Sequence, residues 1–178
     1  MVTAGAVRPF IVAHPALAFA ERGSGATRLE ASHDGYASRF GLIHRRILML
    51  RDDGTELRGE DLLVPTKGKG GRGKVAFAIR FHLHPDVEAS IDMGGSAVSL
   101  ALKSGEIWVF RHDGAAKLTL EPSVYLEKGR LQPRATKQIV LSGLMAGFET
   151  RIGWTLAKAQ DTPLAIRDLD REELPVPI

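Results

Sequence analysis

Between Lys74 and His84 the chain alternates. Val75, Phe77, Ile79, Phe81 and Leu83 fall on one side, and Lys74, Ala76, Ala78, Arg80, His82 and His84 on the other. A two-residue period is that of a β-strand with one face in the core and one toward solvent. Similar short segments recur at roughly ten-residue spacing, with no long stretch of helical periodicity. They predict further strands at Phe10–Ala13, Leu17–Ala20, Thr27–Ser32, Ala37–Phe40, Leu42–Arg51, Glu56–Val64, Val87–Ile91, Ala97–Leu102, Glu106–Arg111, Ala116–Leu120, Ser123–Leu126, Thr136–Leu141 and Phe148–Lys158.

The turns agree with that reading. Asp52-Asp53-Gly54, Met93-Gly94-Gly95, Lys103-Ser104-Gly105 and His112-Asp113-Gly114 supply residues that tolerate positive φ, so each predicts an antiparallel hairpin. The expected fold is all-β, an antiparallel β-sandwich of stacked sheets with little helix, over residues 1–159. Residues 160–178 lose the alternation, gather acids and end on Pro175 and Pro177, which predicts an extended acidic tail.

Composition narrows the chemistry. The chain contains no cysteine, which excludes disulfides, thiol nucleophiles and thiolate metal sites. Its formal charge is only +3, too small to argue for nucleic acid but compatible with an anionic polymer. The tail's Asp161, Asp168, Asp170, Glu172 and Glu173 outnumber Arg167 and Arg171, so the body is more basic than the total. No segment offers the about 20 apolar residues of a membrane-spanning helix. Residues 2–20 end in a small-x-small pattern, but Pro9, His14 and Pro15 interrupt them, so they read as ordinary structure rather than a signal peptide. The periplasm and the cytoplasm both remain open.

Gly68 to Lys74 reads GKGGRGK and matches the first places of a phosphate-binding loop, yet Val75 stands where Ser or Thr would bind magnesium. A strand-like segment follows instead of the helix such a loop requires. A basic loop is the better reading, with Lys69 and Arg72 available to an anionic polymer. Arg80, His82 and His84 share one strand face and could meet a sugar carboxylate or sulfate. Two histidines alone do not make a zinc site. His44 and Arg46 share a face and Arg45 takes the other; hydrogen bonds that bridge the sheets are preferred there over catalysis. His33-Asp34-Gly35-Tyr36 is first a turn, with Tyr36 an outside candidate for acid–base chemistry. Trp108 and Phe110 read as core rather than as a sugar-stacking platform.

From Thr27 to Lys158 the order of segments resembles the C-terminal region of heparinase II/III-like polysaccharide lyases. The resemblance rests on LEASHDGYASRFGLIHRRILML, LRGEDLL, FAIRFHLHPDV, GEIWVFR, LEPSVYLEKG and ATKQIVLSG. It implies a β-sandwich preceded, in full-length members, by a helical toroid, with an acidic polysaccharide such as a glycosaminoglycan or alginate between them. It implies β-elimination, in which a base removes the C5 proton while the uronate carboxylate is neutralised. The family's Asn/His and Tyr catalytic positions belong to the toroid. Its metal-associated His, Asp and His-Asn-Ser/Thr motifs lie upstream of the matched segments, and Met1–Ala26 does not reproduce them. No catalytic or metal residue is therefore carried over, and no cofactor is expected in this chain. The expected role is structural or substrate-supporting, with Arg80, His82, His84, Lys69 and Arg72 as substrate-binding candidates and the toroid as a partner domain. The alternative is a glycan-binding or assembly module without enzymatic activity.

Overall fold

The computed structural model describes residues 15–23, 25–66, 74–129, 131–145 and 149–159. The expected strand at Phe10–Ala13, the loop residues Lys69 and Arg72 and the tail 160–178 lie outside them. The strands are β1 (Pro15–Gly23), β2 (Ala26–His33), β3 (Leu42–Arg51), β4 (Glu56–Pro65), β5 (Val75–His82), β6 (Glu88–Asp92), β7 (Ala97–Ala101), β8 (Ile107–His112), β9 (Lys117–Tyr125), β10 (Arg134–Met145) and β11 (Thr150–Lys158). They form an eight-stranded sheet in the order β1-β2-β3-β4-β11-β8-β7-β6 and a three-stranded sheet in the order β5-β10-β9. All pairings are antiparallel.

The alternation in β5 does what its pattern implies. Phe77, Ile79 and Phe81 pack into the core with Leu118, Ile139 and Leu141 of the small sheet and Val98, Leu100, Phe110, Ile152 and Trp154 of the large one. Phe81 lies edge-on to Trp154 at 4.8 Å and tilted on Phe110 at 4.9 Å. Burial of such apolar and aromatic surface is the main term holding two sheets face to face.

Three expectations are corrected. Ala37–Phe40 is a helical turn, α1, not a strand. Gly41 ends it at φ 67°, and its N–H donates to the Ala37 carbonyl at 3.0 Å, a left-handed cap that glycine adopts without steric cost. The two strands expected around Pro122 are one continuous β9. Proline lacks an N–H, but β9 is the outer strand of its sheet, so Pro122 sits where a donor can be spared. Finally, His112-Asp113-Gly114 does not close a hairpin, because β8 and β9 belong to different sheets. Asp113 instead pins the crossing, accepting from Ala115 N at 2.9 Å and Gly153 N at 2.7 Å. The other three turns join paired strands, β3 to β4, β6 to β7 and β7 to β8.

Gly59 of β4 lies opposite Trp154 of β11. A β-carbon there would stand 2.1 Å from the indole, so the absence of a side chain is what lets the ring lie flat across the sheet. Replacing Gly59 by Ala is expected to cost about 1–3 kcal/mol through forced displacement of Trp154, measured as a lower denaturation midpoint with an unchanged slope. A midpoint equal to that of the parent would contradict this packing.

Candidate functional site

Two places in the fold concentrate polar chemistry. The first is set by strand parity. His44 and Arg46 on β3, Asp61 on β4 and Ile152 and Trp154 on β11 all point toward the small sheet, because paired residues share a face. A carboxylate is thereby carried into the interior, where Asp61 is 2% exposed. Oδ1 of Asp61 accepts from His44 Nε2 at 2.7 Å and from Arg46 Nε at 2.8 Å, and Oδ2 accepts from Trp154 Nε1 at 2.9 Å. Burial alone would raise this carboxyl's pKa, but hydrogen bonds from His44, Arg46 and Trp154 and the Arg46 charge outweigh it and hold the pKa below its ordinary value.

The network continues outward. His44 Nδ1 lies 3.1 Å from His33 Nε2, and His33 Nδ1 accepts from Gly35 N at 3.3 Å. The two ends fix the proton order: Gly35 N–H must donate to His33 and Asp61 must receive from His44. Each neutral ring therefore carries its proton on Nε2, and His33 donates to His44. Burial, and secondly the neighbouring His44, lower the His33 pKa, while Asp34 partly opposes them. The chain of bonds holds the turn Asp34–Tyr36 that starts α1. Tyr36 packs edge-on to His33 at 5.2 Å and to Phe40 at 6.3 Å.

Beside this network a cavity of about 300 Å³ opens between β3, β4 and β5, with Tyr36 and Phe40 at one end. Leu42, Leu63, Phe77 and Ile152 give it an apolar wall, and the Arg46 charge beside it is paired with Asp61. All four ring nitrogens of His33 and His44 are engaged, so neither offers a free base to the cavity. Among the described residues no group of three or more His, Cys, Asp or Glu could hold a metal ion.

The second place is the outer face of the small sheet. Arg80 and His82 project there from β5 and His84 follows just beyond the strand. Arg80 Nη1 bonds Glu121 Oε2 at 3.1 Å, His82 Nδ1 lies 2.9 Å from Ser123 Oγ, and His84 Nδ1 accepts from Asp86 N at 3.2 Å. The His84 ring also meets Tyr125 edge-on at 4.9 Å. Glu121 is kept ionised by the Thr119 hydroxyl and then by Arg80, which lower its pKa.

Sequence reasoning expected His44 and Arg46 to bridge sheets; they bond instead to Asp61 on β4, the neighbouring strand of the same sheet. It passed over Asp61 and Trp154. The available signal was parity: Asp61 occupies an inward place in Leu57, Gly59, Asp61, Leu63, opposite Arg46 and next to the His44 row, and a charge there requires partners.

This architecture, an antiparallel sandwich, matches known proteins. The chain matches the family described as heparinase II/III-like, C-terminal, over residues 6–155. It belongs to that family. The fold is similar to heparan sulfate lyase HepC from Pedobacter heparinus, with a TM-score of 0.64 and 13% identity, covering 82% of this chain and 22% of that one. It is similar also to the heparinase III BT4657 gene product, with a TM-score of 0.63 and 11% identity over 80% of this chain and 21% of that one. In sequence it is 35% identical over 164 residues to FtsZ-localized protein C of Caulobacter vibrioides, covering 88% of this chain and 28% of that protein. The chain thus spans between about a fifth and just over a quarter of these relatives. Among the described residues no helix is long and apolar enough to cross a membrane.

Removing the buried carboxylate strands three donors, one of them a guanidinium. Asp61→Ala is expected to cost about 3–5 kcal/mol, read by chemical denaturation; a loss under about 1 kcal/mol would contradict the network. The pH dependence has a definite sign. Both His33 and Asp61 have folded pKa values below their ordinary ones, 6.5 and 3.8. Their contributions are therefore present at neutral pH and lost on acidification, that of His33 from below 6.5 and that of Asp61 from below 3.8. Stability should fall between about pH 7 and about pH 5, and the slope should flatten in His33→Gln. A parent protein whose stability is level or rises over that interval would contradict the sign.

Proposed function

We propose that this chain is the sandwich module of a longer heparinase II/III-like protein and supports an acidic polysaccharide on the outer face of its small sheet, without performing β-elimination itself. The observation that carries the reading is the row of Arg80, His82 and His84, set two residues apart on a polar sheet face where Ser123 and Tyr125 add a hydroxyl and an aromatic ring. A polyanion can compete with Glu121 for Arg80 and hydrogen-bond the imidazoles. Lys69 and Arg72 precede the same strand and extend the positive charge in sequence. The engaged nitrogens of His33 and His44 favour a supporting role over a catalytic one. The acidic polysaccharide itself is suggested by the lyases whose fold the chain shares.

A second reading is an assembly module, favoured by the 35% identity to a relative named for its localisation with FtsZ. Retention on immobilised heparin, heparan sulfate and alginate separates the two. Under the first reading the chain is retained at low salt, Arg80→Ala weakens retention roughly two- to fivefold, and Glu121→Gln strengthens it by releasing the guanidinium. Unsaturated uronate does not accumulate. Loss of all retention, or equal retention by parent and both variants, contradicts the glycan face and leaves the assembly reading; elimination by the isolated chain contradicts the non-catalytic role.

A further inference from the structure

Among the described residues no further sheet covers the outer face of the small sheet, yet two side chains of its central strand are buried there. Val140 is 1% exposed and Gln138 is 9% exposed. Both alternate with Ile139 and Leu141, which pack inward. What covers them is a roof of neighbouring side chains. Arg80, opposite Val140, reaches diagonally across β10 to Glu121, and His82, opposite Gln138, reaches across in the same sense to Ser123. Each bridge has one end in the row of Gln138, which is paired with His82 on one side and with Glu121 on the other.

Gln138 is only half satisfied in this place. Its Nε2 donates to the Pro122 carbonyl at 3.4 Å, while its Oε1 is buried without a hydrogen-bond partner among the described residues. The orientation of the amide follows from the Pro122 contact: exchanging its two terminal atoms would set one carbonyl oxygen against another and leave the amino group unmet instead. A buried acceptor that meets no donor costs free energy, which an apolar side chain of the same shape would not. The buried middle of this face does not call for a polar residue, as Val140 in the next row shows.

The roof above this oxygen can part. Arg80 Nη1 meets Glu121 at 3.1 Å, and the two side chains are 45% and 41% exposed, so an anion that competes for the guanidinium opens the bridge and uncovers the amide. Arg80 and Gln138 are diagonal neighbours on β5 and β10, roughly 7–8 Å apart at their α-carbons and closer at their side chains. A uronate carries a carboxylate and free hydroxyls on one ring, and a hydroxyl is the donor that Oε1 lacks. We propose that Gln138 is the specificity-determining residue of the outer-face site, its Oε1 accepting from a free ring hydroxyl of the uronate whose carboxylate meets Arg80. The site selects polyuronates with unsubstituted hydroxyls, because a ligand without that donor leaves the acceptor unmet in the complex. This assignment rests on the glycan reading and gives its ligand a chemical class.

The test is a nuclear magnetic resonance titration of the ¹⁵N-labelled intact chain at low salt. The probes are a mannuronate oligomer and two analogues of equal charge, in which one or the other ring hydroxyl is replaced by fluorine, which does not donate. At least one analogue should bind the parent about three- to tenfold more weakly than the unsubstituted oligomer, with shifts centred on β5, β9 and β10. In Gln138→Met, which keeps the side chain's length without its carbonyl and whose fold is checked by its denaturation midpoint, that ratio should fall below about twofold. No binding of the unsubstituted oligomer to the parent, or shifts centred on the large sheet, would sink the glycan reading and this assignment together. Equal affinity of the parent for all three oligomers, or a fluorine penalty as large in folded Gln138→Met as in the parent, would overturn the assignment and leave the glycan face standing.

Discussion

A buried carboxylate is the constraint around which this sandwich is arranged. Asp61 reaches the interior because β4 alternates, and once there it must be compensated, since an unpaired charge in a packed core costs several kcal/mol. The compensation comes from both neighbouring strands, from His44 and Arg46 on β3 and from Trp154 on β11. One side chain thus fixes the relative placement of three strands in the middle of the large sheet. It also orients Trp154, whose ring crosses Gly59 and forms the platform for Phe81 and Phe110. The polar network and the aromatic core are parts of one arrangement.

From the same atom the hydrogen bonds run through His44 and His33 to the backbone of Gly35. That path links the interior to α1 and to the exposed Tyr36 and Phe40. Every ring nitrogen on it has a hydrogen-bond partner. Arg80, His82 and His84 lie apart from it, on the outer side of the small sheet, where the proposed glycan contact is placed. Among the described residues eight strands face three, and the chain spans only part of its relatives' length.

Much of this was legible in the sequence wherever periodicity acts alone. The alternation from Val75 to Leu83 located β5 and its buried face, and the glycine turns located three hairpins. Parity also placed His44 and Arg46 on one side and Arg45 on the other, where Arg45 pairs with Glu30. What escaped was decided by tertiary context. Ala37–Phe40 alternates too briefly to distinguish a strand from a helical turn, and Gly41 settles it by capping. Pro122 reads as a break until β9 is known to be an edge. His112-Asp113-Gly114 has hairpin chemistry, yet Asp113 bonds Gly153 on a different strand and the chain changes sheets. Asp61 was hidden because its partners lie 15 to 93 residues away, beyond any local pattern.

The most direct test is a long-range ¹H–¹⁵N correlation of the imidazole nitrogens at neutral pH. The account predicts that the neutral rings of His33 and His44 are single tautomers protonated on Nε2, with Nδ1 in each showing the shift of a hydrogen-bonded acceptor. A neutral His33 or His44 protonated on Nδ1, or two tautomers in rapid exchange, would contradict it.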